Sequence, residues 1–289
     1  MRPRNDAISL ERAIRQVVQY DDLYQSLHFT SGTTVPVKPG YKAGSRPTSS
    51  PTRICNKPCA MAPFTAALIV VDMQEDFCEP DGALAVKDGR AVAPVINHLL
   101  DWPGFAVKVG TRDHHPPEHV SFASNHAGAQ AFTSSHTIIS PENSAESQTT
   151  LLWPDHCVQG SPGAQLIPEL HGQKLSHVIR KGEDGRVESY SGFGPPFRRP
   201  RVGMSTLDAT LKNAGCTHVF VVGLAYDFCV KATAIDAVEH GYDAFVVEDA
   251  TKAVMHDAES VAKTRAELRE AGVHVISLDA EILRHVSGA

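Results

Sequence analysis

The chain has 289 residues, of which 42% are hydrophobic and 21% charged, values typical of a soluble globular protein. Its formal net charge is -6 and its one basic cluster is the short "FRRPR" at 197–201, which excludes nucleic acid as the main partner because phosphate binding needs clustered Lys and Arg. No apolar run approaches the roughly 20 residues of a membrane-spanning helix, so a membrane partner is not expected either.

The first 60 residues are predicted to form an extension ahead of a single domain over 61–289. Apolar residues recur at helical spacing over 7–28, which predicts a short amphipathic helix. Residues 29–60 are rich in Pro, Gly, Ser and Thr and carry few large apolar side chains. Because such a segment buries too little surface to offset its ordering entropy, we interpret it as a flexible linker.

The cysteines and the N-terminus predict an intracellular, most simply cytoplasmic, protein. The opening "MRPRNDAISLERAIRQVV" lacks the apolar core of a secretory signal, and its acidic residues fit a mitochondrial presequence poorly. Six cysteines spread unevenly over this length do not form a disulfide framework pattern. "CNKPC" at 55–59 has metal-like spacing but neither a second pair nor a nearby His, so we interpret it as incidental.

From residue 65 onward, strand-like and helix-like segments alternate. The predicted strands are the apolar runs at 66–72, 105–111, 177–181, 218–223, 244–249 and 273–277. Near-continuous apolar runs suit strands that are covered on both faces. Between them, Ser205 and Asp208 resemble a capping box, and residues 257–272 begin with a cap residue and end at glycine. The pattern indicates an open α/β fold with a parallel sheet between helices.

Polar residues follow the predicted strands, where a ligand of such a sheet binds. Asp72 ends the first strand, "TRDHH" at 111–115 follows the second, Lys181 ends the third and Cys229 follows the fourth. Because the carboxyl ends of parallel strands meet at one edge, we expect these four groups to converge on one site.

Cys229 is the candidate nucleophile of this site. It begins a predicted helix, whose unpaired N–H groups would lower the pKa of the thiol and hold a developing oxyanion. Beside a thiol, Asp72 would serve as general base and Lys181 would hold both anionic groups in place. Taken singly, each has an ordinary alternative: a buried structural cysteine, a turn aspartate and a solvated lysine.

A second group of residues has the composition of a metal site. Asp113 and His115 stand two apart in an extended segment, so their side chains point the same way. With His156 they supply two imidazoles and one carboxylate, an open three-ligand set for zinc or iron. His114 would then point away, and His119 would be a supporting partner or have no role. Scattered surface histidines are the alternative interpretation.

Five stretches of the sequence resemble the nicotinamidases of the isochorismatase-like cysteine hydrolases, over roughly residues 65–278. They are "LIVVDMQEDF" at 68–77, "GTRDHHPPEHVSF" at 110–122, "LLWPDHCVQGSPGAQL" at 151–166, "RKG" at 180–182 and "VVGLAYDFCVKATAIDAVEHGY" at 221–242. The resemblance implies a three-layer α/β/α fold with a six-stranded, mainly parallel sheet.

The same resemblance implies hydrolysis of nicotinamide to nicotinate and ammonia through a cysteine thioester, a step of NAD salvage. It assigns catalysis to Asp72, Lys181 and Cys229, and a divalent metal to Asp113, His115 and His156. Zinc is the expected ion, with Fe²⁺ and Mn²⁺ as alternatives. The expected partners are small pyridine or pyrazine amides of the nicotinamide and pyrazinamide type, and a homo-oligomer is left open.

The resemblance also implies an oxyanion hole made by the backbone N–H groups of Ala225 and Cys229, with a cis peptide between Leu224 and Ala225. The residues expected to bind the substrate are Phe77, Trp153, Leu224 and Tyr190. Tyr190 belongs to a segment rich in Gly, Pro and Arg at 182–203, whose conformation the sequence leaves open.

Two other functions remain open from the sequence. One is a related hydrolase that acts on another small amide, a carbamoyl compound or an enol ether. The other is a metal-binding protein that kept the fold and lost the chemistry. The metal ligands favour a pyridine amide, since a metal that binds the ring nitrogen is useful chiefly there, and the Asp72, Lys181 and Cys229 set favours an enzyme.

Overall fold

A computed structural model describes residues 63–288 of the chain. The predicted N-terminal extension, with its helix at 7–28 and its cysteine pair at 55–59, lies outside the described residues. Within the described range, no helix combines the length and apolarity that crossing a bilayer requires.

Within residues 63–288, eight strands form one large sheet and one hairpin. In chain order they are β1 (Ala66–Val71), β2 (Phe105–Asp113), β3 (Ser135–Ile139), β4 (Ser147–Leu151), β5 (His177–Lys181), β6 (His218–Leu224), β7 (Asp243–Lys252) and β8 (His274–Ile276). The large sheet has six strands in the order β5-β2-β1-β6-β7-β8, and every neighbouring pair is parallel. The six predicted strands and the parallel sheet are therefore confirmed.

The described part of the chain also has five α-helices: α1 (Ala93–Asp101), α2 (Leu207–Asn213), α3 (Lys231–Glu239), α4 (Ala258–Glu270) and α5 (Arg284–Ser287). Alternate residues of β1 divide between two cores. Leu68 and Val70 pack with residues of α1 and α5 on one face, whereas Ile69 and Val71 pack with residues of α2, α3 and α4 on the other. A strand buried on both faces needs apolar residues at every position, which explains the continuous run "AALIVV". The predicted three-layer α/β/α fold is confirmed.

The β3–β4 hairpin was not predicted from the sequence. Its strands read "SHTII" and "SQTTL" and pair antiparallel outside the main sheet. Short strands with this many hydroxyl and amide side chains have no apolar run to reveal them. Its strand β4 carries Thr150, a buried residue whose hydroxyl contacts that of Tyr190.

The two predicted helix starts had different outcomes. For α4 the prediction is confirmed, since the Asp257 side chain accepts a hydrogen bond from the Ser260 N–H at 3.0 Å. The prediction that Ser205 and Asp208 form a capping box ahead of α2 is wrong, because the N-cap is Thr206 and its side chain makes no capping hydrogen bond. The Asp208 carboxylate instead bonds the Lys212 ammonium at 2.7 Å, a stronger charged partner than a backbone N–H.

Candidate active site

Three buried side chains meet where β1, β5 and β6 end. The Lys181 ammonium lies 3.0 Å from Asp72 Oδ2 and 3.4 Å from Cys229 Sγ. It also donates to Asp113 Oδ1 at 2.5 Å. These groups come from segments far apart in the chain, as the strand-end argument predicted, and Asp72, Lys181 and Cys229 are 0%, 4% and 6% exposed. One cation thus bridges the candidate base, the candidate nucleophile and a candidate metal ligand.

The Asp72 carboxylate is held with its two oxygens in different environments. Asp72 has a φ of 47°, a left-handed backbone conformation that is uncommon for residues other than glycine. Thr111 donates to Oδ1 at 2.7 Å, whereas Oδ2 faces Lys181 and receives no well-directed hydrogen bond from the described residues. Burial raises the pKa of Asp72 to about 6, against the opposing effect of Lys181. Oδ2 is therefore available to take up a proton near neutral pH.

Cys229 lies in a wide π-helical turn, Tyr226–Val230, that connects β6 to α3. Burial raises the pKa of its thiol well above the usual value, although Lys181 acts in the opposite direction. The expectation that the helix N-terminus would lower this pKa is wrong, because burial of the thiol is the largest effect on it and raises it. The thiol is therefore protonated until a base removes its proton. The peptide between Leu224 and Ala225 is cis, as the resemblance implied.

Asp113, His115 and His156 form a compact cluster with the donor set of a divalent metal site. Their ligand atoms all lie within 4.8 Å of one another, and Asp113 Oδ2 is 3.6 Å from His115 Nε2. The Nδ1 atoms of the two imidazoles lie 3.0 Å and 2.8 Å from the carbonyl oxygens of Gly182 and Pro154. Because a carbonyl only accepts, each Nδ1 carries the proton and each Nε2 keeps a free lone pair. The residues present fit a bound cation.

The charge states of Asp113 and His156 suit metal binding. Burial alone would lower the pKa of His115, but Asp113 raises it above its usual value, so this imidazole would give up a proton when a cation binds. Burial lowers the pKa of His156 to about 4, so this imidazole is neutral at pH 7. Burial alone would raise the pKa of Asp113, but Lys181 and the neighbouring imidazoles hold it well below its usual range. An ionised carboxylate and a neutral imidazole are the forms that coordinate a cation.

His114 and His119, the two other histidines of this motif, have different surroundings. His114 is partly buried, and its Nδ1 lies 3.0 Å from Glu183 Oε1. His119 is buried, with its ring centroid 4.0 Å from that of His115 and its Nε2 3.1 Å from the Val187 carbonyl oxygen. His119 therefore packs against a candidate ligand, whereas His114 does not take part in the cluster.

Glu188 is a buried acid of this site that the sequence analysis did not identify. It is 2% exposed, and although burial alone would raise its pKa, His119 and His115 lower it. Both imidazoles lie more than 60 positions away in the chain. Nothing in its local sequence, "GRVESYSG", indicates that these imidazoles influence its charge.

Aromatic side chains form one wall beside Cys229. The Trp153 Nε1–H donates to the Tyr190 hydroxyl at 3.0 Å, and that hydroxyl is 2.8 Å from Thr150 Oγ1. The Phe228 ring lies 5.2 Å from Trp153 and 5.6 Å from Tyr190, centroid to centroid. Trp153 and Tyr190, which the sequence analysis named, are therefore joined, and Phe228, which it did not name, completes the wall.

The remaining residues named for substrate contact lie around this site. The Phe77 ring centroid is 5.6 Å from that of His156. Leu224 is fully buried, and its side chain packs beside Gly89 in the core. Only the backbone of Leu224 therefore borders the π-helical turn that carries Cys229. Ala225 is buried next to it. The roles of these residues, and of the Ala225 and Cys229 N–H groups as an oxyanion hole, stay predictions.

Comparison with known proteins agrees with the resemblance seen in the motifs. Residues 66–280 match the Isochorismatase domain. Over 215 residues the chain is 39% identical to the nicotinamidase of Escherichia coli (strain K12), which covers 73% of this chain and 94% of that protein.

Solved structures of similar proteins share the fold. The yeast nicotinamidase bound to the inhibitor nicotinaldehyde superposes with a TM-score of 0.70 at 33% identity, covering 74% of this chain and 100% of that one. The pyrazinamidase of Pyrococcus horikoshii in complex with zinc gives a TM-score of 0.56 at 31% identity, covering 74% of this chain and 99% of that one. The described domain therefore spans the whole length of both neighbours.

Proposed function

Because the chain belongs to the isochorismatase domain family, we propose that it is a nicotinamidase, which hydrolyses nicotinamide to nicotinate and ammonia in the salvage of NAD. One observation carries the proposal: the Lys181 ammonium contacts Asp72, Asp113 and Cys229 at once, within 3.4 Å. A base, a nucleophile and a candidate metal ligand are thus joined in one buried site. The similarity to known nicotinamidases selects the substrate class.

In the proposed reaction Asp72 and Cys229 share the proton transfers. Asp72 Oδ2 takes the thiol proton, and the sulfur attacks the carboxamide carbon. The carbonyl oxygen becomes an oxyanion, which the Ala225 and Cys229 N–H groups would hold. Protonated Asp72 then gives its proton to the departing nitrogen, so that ammonia leaves and a thioester remains. Asp72 then takes a proton from a water molecule, whose oxygen attacks the thioester carbon. The C–S bond breaks, Asp72 returns the proton to the sulfur, and the acid product releases its remaining proton to solvent as nicotinate.

Lys181 stabilises the charges that this sequence creates. Burial alone would lower its pKa, but Asp113 and Asp72 raise that pKa well above the usual value, so the side chain stays cationic. When the thiol proton moves to Asp72, negative charge moves from the carboxylate to the sulfur. Both atoms lie within 3.4 Å of Nζ, so the same ammonium stabilises the states before and after transfer.

Asp113, His115 and His156 would hold a divalent cation, which we propose to be zinc. Two imidazoles and a carboxylate with open positions form a set that zinc accepts, and iron and manganese are the alternatives. When bound, the metal supplies a Lewis-acid position for the ring nitrogen, and so orients the amide towards Cys229. The rings of Trp153, Tyr190 and Phe228, which meet one another at an angle, offer aromatic surface to a substrate ring.

The test is ammonia release from nicotinamide, pyrazinamide, an unrelated aliphatic amide and a carbamoyl compound, each with and without a metal chelator. We expect turnover of the first two, little of the third, and loss of turnover on chelation that added Zn²⁺ restores. Hydrolysis of a carbamoyl compound in preference to both ring amides would contradict the proposal and favour a related hydrolase. No hydrolysis of any of them would favour the non-catalytic alternative.

A further inference from the structure

The segment that follows β1, residues 72–76, packs along the segment at 163–167. The Asp76 N–H donates to the Gly163 carbonyl at 3.0 Å, and the Ile167 N–H donates to the Met73 carbonyl at 2.9 Å. Asp72 at the start of this segment belongs to the chemistry described above. Two further polar side chains of the same segment, Gln74 and Asp76, form hydrogen bonds with the backbone of Asp113 and of Cys157, the residue after His156.

Gln74 holds the backbone of Asp113. Its side chain is fully buried, and its Nε2 donates to the Asp113 carbonyl at 2.8 Å while its Oε1 accepts from the Asp113 N–H at 2.8 Å. The second Nε2 hydrogen reaches the Ala164 carbonyl at 3.1 Å. The two bonds to Asp113 lie on either side of its Cα and so fix the direction in which its carboxylate points.

Asp76 holds the backbone that carries His156. Its Oδ2 accepts from the Cys157 N–H at 2.6 Å, and that N–H belongs to the peptide that joins His156 to Cys157. Cys157 has a φ of 47°, a left-handed backbone conformation that residues other than glycine adopt at an energetic cost, which the surrounding structure must offset. The Cys157 carbonyl in turn accepts from the His115 N–H at 3.1 Å. One carboxylate is thus connected to the backbones of both imidazole ligands.

We propose that Gln74 and Asp76 are positioning residues for the divalent cation: Gln74 sets Asp113, and Asp76 sets His156 directly and His115 through the Cys157 carbonyl. The proposal rests on the metal site of the proposed function but not on its reaction. Neither side chain would touch the ion. Each would act by restricting the main chain from which a ligand projects, which is how outer groups tune the affinity of a metal site.

Gly163 offers an independent way to disturb Asp76. A Cβ built on Gly163 would lie 2.0 Å from Asp76 Oδ2, and 2.2 Å from its Cγ. The carboxylate therefore occupies the space of the missing side chain, so Gly163→Ala would displace it without removing a polar group. If Asp76 positions His156, this change should weaken metal binding as removal of the carboxylate does.

The experiment titrates metal-free protein with Zn²⁺ in competition with a chromophoric chelator. We expect Gln74→Met, Asp76→Leu and Gly163→Ala each to bind Zn²⁺ about 10- to 100-fold more weakly than the parent. Asp76→Asn keeps an acceptor for the Cys157 N–H and should stay within about threefold. Glu75→Gln is the matched control from the same segment, since Glu75 contacts the Arg90 guanidinium at 2.6 Å, and it should also stay within about threefold.

Circular dichroism and the melting temperature of each metal-free variant separate positioning from folding. A variant that melts at a lower temperature but binds Zn²⁺ like the parent would overturn the proposal for that residue, because its role would then be structural. A tenfold loss in Asp76→Asn would overturn it too, since charge rather than the hydrogen bond would be responsible. If Asp76→Leu does not fold, parent-like affinity in Gly163→Ala decides against the role of Asp76.

Because the titration needs no turnover, its result is separate from that of the proposed function. A parent that binds Zn²⁺ but releases no ammonia refutes the nicotinamidase assignment and leaves the positioning test in force. A parent that binds no Zn²⁺ overturns the positioning proposal, whatever the outcome of the ammonia assay.

Discussion

Thr111 donates a hydrogen bond of 2.7 Å to Asp72 Oδ1, so that only Oδ2 of the same carboxylate faces Lys181. Thr111 lies on β2 and Asp72 directly follows β1, its neighbour in the sheet. The hydroxyl therefore fixes which carboxylate oxygen faces the Lys181 ammonium, and this is the oxygen that would take the thiol proton. This arrangement makes Thr111 a residue with a measurable effect on proton transfer, although it touches neither sulfur nor substrate.

Thr111→Val should lower kcat/KM by about 10- to 100-fold, because a hydrogen bond to a charged group contributes roughly 1.5–3 kcal/mol. Thr111→Ser keeps the hydroxyl and should retain most of the activity. Steady-state kinetics of both variants with nicotinamide provide the measurement. Equal activity in the Val and Ser variants would show that the hydroxyl does not orient the base.

The activity should decline as the pH falls through about 6. Burial raises the pKa of Asp72 from 3.8 to about 6, and only the ionised form can take the thiol proton. Below that pH, kcat/KM should fall about tenfold per unit. The profile of kcat/KM tests this, with metal content measured at each pH as the control because His156 also becomes protonated in acid. A flat profile between pH 5 and 7 would contradict the assignment of Asp72 as base.

Cys229→Ala should abolish ammonia release, by at least about a thousandfold, while the circular dichroism spectrum stays unchanged. Cys216→Ala is the matched control, since Cys216 is also a buried thiol. It lies just before the start of β6, whereas the turn that carries Cys229 follows the end of that strand. It should remain active. Near-normal turnover in the Cys229 variant would end the thioester mechanism.

His115→Ala should lose bound metal and raise the KM for nicotinamide, because it removes one of the three candidate ligands. His114→Ala, one position away, changes a side chain that contacts Glu183 instead and should leave both quantities unchanged. Elemental analysis of the purified proteins and the kinetics of each provide the comparison. Equal metal content in the His115 variant and the parent would refute the ligand assignment.

Tyr190→Phe should raise the KM about two- to tenfold with kcat nearly unchanged, because it removes the hydroxyl that joins Trp153 to Thr150 and loosens one pocket wall. Tyr242→Phe is the matched control, since the Tyr242 hydroxyl bonds Asp208 at 2.9 Å, away from the site. A fall in kcat with KM unchanged in Tyr190→Phe would mean that the hydroxyl acts in the chemistry rather than in binding.

The sequence by itself determined the sheet, its parallel character and the convergence of the principal site residues. Strands buried on both faces must be apolar at every position, so they stand out as continuous runs. Asp72, Lys181 and Cys229 could be named because each follows or ends such a run, and parallel strands carry their ends to one edge. The β3–β4 hairpin escaped because its short strands are largely polar and have no such run.

Only the tertiary structure decided how the site is held and charged. Gln74 meets Asp113 across 39 positions and Asp76 meets Cys157 across 81, and no local pattern encodes either contact. The protonated Cys229 thiol, the near-neutral Asp72 and the buried Glu188 depend on how much water the fold excludes and which charges it brings near. Local periodicity indicates which face of an element is buried. The pKa of a buried group and the hydrogen bonds that hold a ligand's backbone depend instead on groups that are distant in the chain and close in space.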